Sequence, residues 1–374
     1  MKTKIALFHF SPVELFPPVM NLLNYLQALS PEEFRVQVYT TRPDQKIQPY
    51  VPFSGNLRIF QFGHYTFGKR PFFRYVQYGI FHWKSFWNCL RWHPGKIIYF
   101  ETLSAAIPWL IRNLFFRQTE VFIHYHEYMT PGEYHKMFIN RIFRQIEIRN
   151  YSHAKWISHT NSERMAMFLK DIGRPGLGKT HILPNYPPKR WKQEPSAMGT
   201  DSPIRSVYIG SLSSLGGLYI PEICEWIKSL RGQLTLDLYS LSIGPEVRSY
   251  LGESRTDDIS WKGPVQYEEL PKVLQRYQVG LILYKGGPLN TVFSASNKLF
   301  EYLACGLDVW YPTDLKGTFA FDSETLWPKV LRLNFGNLYA YNLRDLTVRQ
   351  QGNKREIAYF FEDAIQEFIT CLQN

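Results

Sequence analysis

Residues 173–180 read GRPGLGKT, which satisfies the phosphate-loop pattern G-x-x-x-x-G-K-[ST] at every position. At face value the chain is then a nucleoside triphosphatase, with Lys179 on the β- and γ-phosphates and Thr180 on Mg²⁺. That pattern works only between a buried strand and a helix, where loop amides and the helix N-terminus converge on the anion. Here the flanks are reversed. SERMAMFLKDI (162–172) reads as a helix, with Ser162 able to cap it and Met165, Phe168, Leu169 and Ile172 on one face. HILPNYPP (181–188) cannot open a helix, because Pro184, Pro187 and Pro188 interrupt it. Gly173 is therefore a helix stop, and the match is a helix cap followed by a loop. LTLDLY (234–239), which imitates a Walker-B strand, is an apolar run with an Asp of a kind common in α/β proteins.

Outward from this stretch, strands and helices alternate. KIALFHF (4–10), FRVQVYT (34–40), NLRIFQF (56–62), KIIYFE (96–101), VFIHYH (121–126) and AKWISHT (154–160) read as strands. VMNLLNYLQAL (19–29), residues 72–92, SAAIPWLIRNLFF (104–116) and residues 136–150 read as helices. After the proline-rich 184–191 the theme repeats: SVYIGSL, LTLDLYS and VGLILYK as strands, YIPEICEWIKSL, EELPKVLQRY and NKLFEYLAC as helices. Such alternation predicts α/β architecture with doubly wound parallel sheets. The expected division is 1–183, a hinge at 184–191, a second Rossmann-like domain at 192–352 and a C-terminal helix at 353–374.

At 374 residues and 45% hydrophobic content the chain can bury two cores. Cys89, Cys224, Cys305 and Cys371 are too scattered for a disulfide framework or a zinc site and fit a reducing cytosol. The N-terminal apolar run is short and soon followed by prolines, so it reads as a first strand rather than a signal peptide. No 18-residue apolar run predicts a transmembrane helix. The net charge of +11 is uneven: residues 1–188 hold 23 Lys+Arg against 11 Asp+Glu, the remainder 20 against 21. A basic first half favours an anionic partner such as a membrane surface. No nucleic-acid module is present.

Several blocks, in order, resemble the large retaining family of GT-B glycosyltransferases that builds bacterial polysaccharides and glycolipids. They are WISHTNSERMAMFLKDIG, ILPNYPP, SVYIGSL, ISWKGPVQYEELPKVLQRYQVGLILYK and SASNKLFEYLACGLDVWYP, within residues 120–312. The resemblance implies two Rossmann-like domains facing across a cleft, with a C-terminal helix able to cross back to the first. It implies a retaining, metal-independent hexosyltransferase that needs no cofactor beyond its nucleotide-sugar donor. The acceptor is expected to be a saccharide or a lipid-linked one. The absence of any D-x-D agrees with the metal-independent route.

On the donor side, the turn FSASNK (293–298) would open a helix, so that Ser294, Ser296, Asn297 and Lys298 face a diphosphate. Gly210 and Ser211, after the first donor-domain strand, would face it from below, and Val265 lies where the base is read. Glu301, one turn after Lys298, resembles the family's ribose-binding carboxylate. On the acceptor side His126 resembles the histidine that meets the donor sugar, followed by Glu127; Ser11 and Glu14 follow the first strand. His126 and Glu301 are the catalytic candidates. His124 reads as a core histidine. The chain departs from the family in carrying Phe293 where the first motif glutamate stands, in lacking a basic residue after Gly210, and in having Asp308 in place of a proline. Those departures leave open a degenerate scaffold or subunit, and a sugar-nucleotide epimerase or hydrolase remains a further alternative.

Residues 72–92 carry two apolar faces. Phe73, Val76, Ile80, Trp83, Trp87 and Leu90 would form the core stripe, and Tyr75, Tyr78, His82, Phe86 and Cys89 a second face flanked by Lys69, Arg70, Arg74, Lys84 and Arg91. Two such faces with flanking base suggest a cytoplasmic enzyme peripheral to the inner face of an anionic membrane.

Overall fold

The computed structural model describes residues 2–29, 33–43, 48–64, 71–136, 138–174, 177–194, 203–254, 256–348 and 355–374. Lys69 and Arg70, and Pro175 and Gly176 of the GRPGLGKT stretch, lie outside them. The chain divides into two compact units, Met1–Asn185 with Glu362–Asn374, and Tyr186–Phe361.

The first unit is built on a parallel sheet of β1 (Thr3–Phe8), β2 (Phe34–Arg42), β3 (Leu57–His64), β4 (Lys96–Tyr99), β5 (Glu120–Tyr125), β6 (Ala154–His159) and β7 (Thr180–Ile182), in the order β3-β2-β1-β4-β5-β6-β7. Its helices include α1 (Pro17–Ala28), α2 (Pro71–Trp92), α3 (Ala106–Leu110), α4 (Pro131–Lys136), α5 (Phe138–Tyr151) and α6 (Ser162–Asp171). Strand order reverses between β1 and β4, so the loops after β1, β4 and β5 open together at one sheet edge, the usual ligand position of a doubly wound sheet. Central strands are apolar on both faces because helices cover both; Ile5, Ala6, Leu7 and Phe8 are all fully buried.

Helix α6 begins one residue earlier than Ser162 suggests: Asn161 is the N-cap, its side chain accepting from Arg164 N at 2.9 Å. Gly173 follows at φ +64°, a left-handed stop that glycine adopts without strain. What comes next is strand β7, so no helix follows the GRPGLGKT stretch.

Three expectations need correction. Residues 104–116 are not one helix: α3 gives way to a wider π-turn at Ile111–Phe115, closed by Phe116 N donating to Ile111 O. In α2 the buried stripe is neither of the two expected: of the second face Tyr78 and Cys89 are buried, but Tyr75 is exposed. Gln77, Tyr78, Phe81, Ser85 and Cys89 face the core, whereas Phe73, Val76, Trp83 and Trp87 are exposed. Both faces are apolar, so amphipathicity does not choose between them. Tertiary partners do: Phe10 packs on Tyr78 and Phe81 with centroids at 4.5 and 5.2 Å, and Gln77 Oε1 accepts from His64 N at 2.8 Å. The last helix also starts late. Residues 355–360 are extended, held by Arg355 donating to Phe321 O and by Tyr359 against the rings of Phe300 and Phe321. Helix begins only at Phe361. Its continuation, Gln366–Gln373, belongs to the first unit, where Phe368 meets Phe122 and Trp156 edge-on.

The second unit repeats the plan with β8 (Ile204–Ile209), β9 (Leu234–Tyr239), β10 (Ile259–Gly263), β11 (Val279–Leu281), β12 (Asp308–Pro312) and β13 (Val330–Leu333), ordered β10-β9-β8-β11-β12-β13. The switch point falls between β8 and β11, and the helix Asn297–Ala304 packs over it. Gly280 permits this, since a Cβ there would lie 2.2 Å from the Tyr302 ring. Tyr302 OH in turn accepts from Ile209 N at 3.1 Å, tying that helix to the end of β8.

Candidate functional site

A cavity of about 380 Å³ lies within the first unit at the ends of β1, β4 and β5. Ser11, His126 and Glu127 line it; Glu14 is not among its lining residues. Glu14 instead accepts from Tyr50 N and Gln61 Nε2 at 3.0 and 3.1 Å, a tie within the loops. Sequence reasoning missed Glu101, which follows β4 as Glu127 follows the end of β5. Its carboxylate accepts from Ser11 N at 2.8 Å and Ser11 Oγ at 3.2 Å, and so sets the loop after β1. That recurrence of an acid after a buried strand was the available signal.

His126 lies flat against Phe100, centroids 5.0 Å apart and planes within 9°, with His124 at 4.8 Å and His9 at 6.1 Å. Burial holds it well below the ordinary imidazole range, and the neighbouring histidines push the same way. It is therefore a neutral ring at pH 7. Among the described residues neither ring nitrogen meets a partner in good hydrogen-bond geometry, and the Asn185 side chain lies within reach. Arg164 fixes the backbone here, donating to His126 O at 2.8 Å. His124 is a core residue, its Nδ1 paired with Ser158 Oγ at 2.9 Å.

Behind the cavity runs a buried polar network invisible to pattern reading. Glu147 on α5 is fully buried; its Oε2 accepts from Arg144 at 2.9 Å and from Thr102 Oγ1 at 2.9 Å. Thr102 also meets Tyr134 OH at 3.0 Å, and Arg144 donates to Tyr151 OH. Thr102 and Tyr134 line the cavity, so this network sets its wall.

In the second unit, Lys298 and Glu301 sit on the helix Asn297–Ala304, whose N-cap Ser296 makes no side-chain cap bond. Leu299 N already donates to Ser296 O at 2.9 Å, so only the amides ahead of it are open to a ligand or water. Lys298 Nζ donates to Tyr284 OH at 2.6 Å and lies over the rings of Tyr284 and Tyr208 at 4.9 and 5.9 Å. Its stem passes over the turn after β8. A Cβ on Gly210 would meet Lys298 Cε at 2.7 Å and Tyr208 OH at 2.9 Å. Tyr208 OH donates to Ser211 O at 2.9 Å. Gly210, Ser211 and Lys298 are therefore together. Ser294 is part of the backbone that Gly317 abuts, and its carbonyl accepts from Thr318. Val265 packs against the core cluster around the Asn297–Ala304 helix.

Glu301 is 8% exposed, and among the described residues its carboxylate makes no hydrogen bond or ion pair. Burial pushes its pKa up to about 7, partly offset by Lys298. A carboxylate in this condition is a ready acceptor for two hydroxyl donors. Two further cations of the second unit are engaged or distant: Lys285 pairs with Glu222 at 2.7 Å, and Arg205 lies near the start of β8, the opposite end from Gly210. Asp308 accepts from Lys329 N at 2.7 Å, a structural contact.

The closeness of Gly210 and Lys298 makes a testable separation. In Gly210→Ala the clash falls on the mobile end of a lysine and a tyrosine hydroxyl, so the fold should give way cheaply. Melting temperature should change little, while displacement of Lys298 should weaken nucleotide binding by about tenfold, the scale of one charge-assisted hydrogen bond. Titration calorimetry with wild type and variant checks both halves.

No protein-family model matches the sequence, and no curated protein matches it. Solved structures do match its fold. The sucrose-phosphate synthase of Thermosynechococcus elongatus superposes with a TM-score of 0.68 at 16% identity, over 100% of this chain and 98% of that one. The apo lipopolysaccharide outer core galactosyltransferase WaaB gives 0.63 at 11%, over 99% of each chain. HepE of Anabaena, solved in complex with UDP-glucose, gives 0.61 at 11%, over 99% and 97%. The fold is that of the GT-B glycosyltransferases. Among the described residues, no helix is long and apolar enough to cross a membrane.

Proposed function

We propose that the protein is a metal-independent, retaining glycosyltransferase that moves a hexosyl group from a nucleotide-sugar to a saccharide or lipid-linked acceptor, in polysaccharide or glycolipid synthesis, peripheral to the cytoplasmic face of an anionic membrane. The observation that carries this reading is the buried Glu301 carboxylate one turn from Lys298, whose stem crosses Gly210. Glu301 would take the ribose hydroxyls. Lys298 and the first amides of its helix would hold the diphosphate leaving group, whose negative charge grows as the glycosyl bond breaks. His126, a neutral ring on the cavity wall, would hydrogen-bond the donor sugar, while the cavity of the first unit receives the acceptor. In retaining transfer the departing phosphate can itself take the acceptor's proton, so no separate base is required of this chain.

The test is calorimetry with UDP, GDP, ADP, CMP and dTDP on wild type and Glu301→Ala. One nucleotide should bind in the micromolar range and lose about tenfold or more in the variant. Binding by none would favour a degenerate scaffold, a reading supported by Phe293 at the missing glutamate position and by the engagement of Lys285 with Glu222.

A further inference from the structure

Helix α2 serves two surfaces. Its inner side contributes Arg74, Gln77 and Tyr78 to the cavity of the first unit. Its outer side presents Phe73, Val76, Trp83 and Trp87, with Trp83 66% exposed. Single exposed hydrophobics are ordinary, but a continuous row of them marks a docking surface. Neighbouring elements extend it. Phe115, exposed in the π-turn, is 5.7 Å from Phe86 between centroids, and exposed Phe138 and Ile142 lie on α5, where Phe143 stacks on His82 of α2.

The charges around this face are of one sign. Lys84, Arg91 and Arg141 are exposed, no acid occurs between residues 71 and 100, and the acid of α5, Glu147, is fully buried. Aromatic side chains ringed by cations, without exposed carboxylates on either helix, match the interfacial zone of an anionic bilayer, where Trp sits among headgroups and Lys/Arg meet phosphates.

Arg74 stands where the two surfaces meet. It follows exposed Phe73 and precedes exposed Tyr75, yet it lines the cavity. Its Nε is shut off from solvent with no hydrogen-bond partner, and no ion pair engages its guanidinium among the described residues. Of the cavity's carboxylates, Glu101 is taken by Ser11, and Glu127 is exposed to solvent. A partly desolvated guanidinium without a partner is a cost that an oxyanion ligand offsets.

We propose that the cavity takes the phosphate-bearing headgroup of a lipid presented at an anionic bilayer on which the outer face of α2 rests, with Arg74 receiving the phosphate. This rests on the glycosyl-transfer reading and narrows its acceptor to a phosphate-bearing amphiphile.

The experiment has two arms. In calorimetry, short-chain phosphatidic acid should bind at least about tenfold more tightly than inorganic phosphate, and Arg74→Gln should weaken it by about tenfold while Arg74→Lys recovers part. In sedimentation at low salt, the protein should follow phosphatidylglycerol-containing vesicles and ignore pure phosphatidylcholine. The double variant Trp83→Glu/Trp87→Glu should stay in the supernatant yet keep its melting temperature and its affinity for short-chain phosphatidic acid. Equal affinity for inorganic phosphate would overturn the proposal in favour of a soluble phosphorylated acceptor. So would indifference to Arg74→Gln, failure to sediment with the anionic vesicles, or a dimer in light scattering that the tryptophan variant dissolves. Nucleotide binding, measured on the same samples, reports separately on the donor site: its absence with lipid binding intact would overturn the transfer reading and leave the lipid site standing.

Discussion

Between pH 7.5 and pH 5 the protein is expected to lose about 4 kcal/mol or more of stability, a large share of what a typical domain has. The cause is four buried histidines. His82 and His124 are held down to about 4 by burial. His126 and His159 are also held well below the ordinary imidazole range, again chiefly by burial, with neighbouring cations and imidazoles adding to it. A base whose affinity for protons is lower folded than unfolded leaves stability intact above its unfolded pKa of about 6.5. Below that value the unfolded chain binds protons that the native state refuses, so stability falls with pH until the folded pKa is reached. By pH 5 His82 and His124 each cost about 2 kcal/mol, and His126 and His159 add to the loss in the same direction. Urea titrations at pH 7.5, 6.0 and 5.0 measure the slope, and His124→Gln should flatten it. A stability independent of pH over this window would contradict the buried, neutral assignment of these rings.

The second large effect belongs to the network behind the cavity. Arg144→Met should cost about 3–5 kcal/mol, because it strands the Glu147 carboxylate in surroundings where the group has no exposure and Thr102 alone still donates to it. The double variant Arg144→Met/Glu147→Leu should recover most of that loss, since well-packed apolar groups replace a buried ion pair at little cost. Denaturant unfolding of the two single variants and the double closes the cycle. If Arg144→Met alone were neutral, the ion pair would not be holding the wall formed by Thr102 and Tyr134.

Much of the sheet architecture was legible because central parallel strands are apolar on both faces and carry their turns at short, regular intervals; KIALFHF and VFIHYH need no tertiary knowledge. The grouping of Gly210, Ser211 and Lys298 followed from resemblance, and the structure adds why the glycine is required: the lysine stem crosses it. What could not be read was set by partners distant in sequence. The exposed face of α2 was misassigned because periodicity ranks hydrophobicity and both faces score well; Gln77 turned inward because His64 N, 13 residues earlier, gives it a bond. Glu147 looks like one more surface acid on a helix until Arg144, Thr102 and Tyr134 surround it. The start of the last helix depended on an aromatic contact between Tyr359 and Phe300, 59 positions apart, which holds the preceding residues extended.

That last helix has a consequence during synthesis. Residues 362–374 complete a unit whose other part ends at Asn185, so the ribosome makes the whole of the second unit before the first can be finished. At a translation rate of about 5–20 residues per second this leaves an interval on the order of ten seconds or more. Throughout it the nascent sheet lacks the helix that brings Phe368 onto Phe122 and Trp156. A patch of newly made apolar surface waits for its own distant end of chain, and during that wait it is open to chaperones.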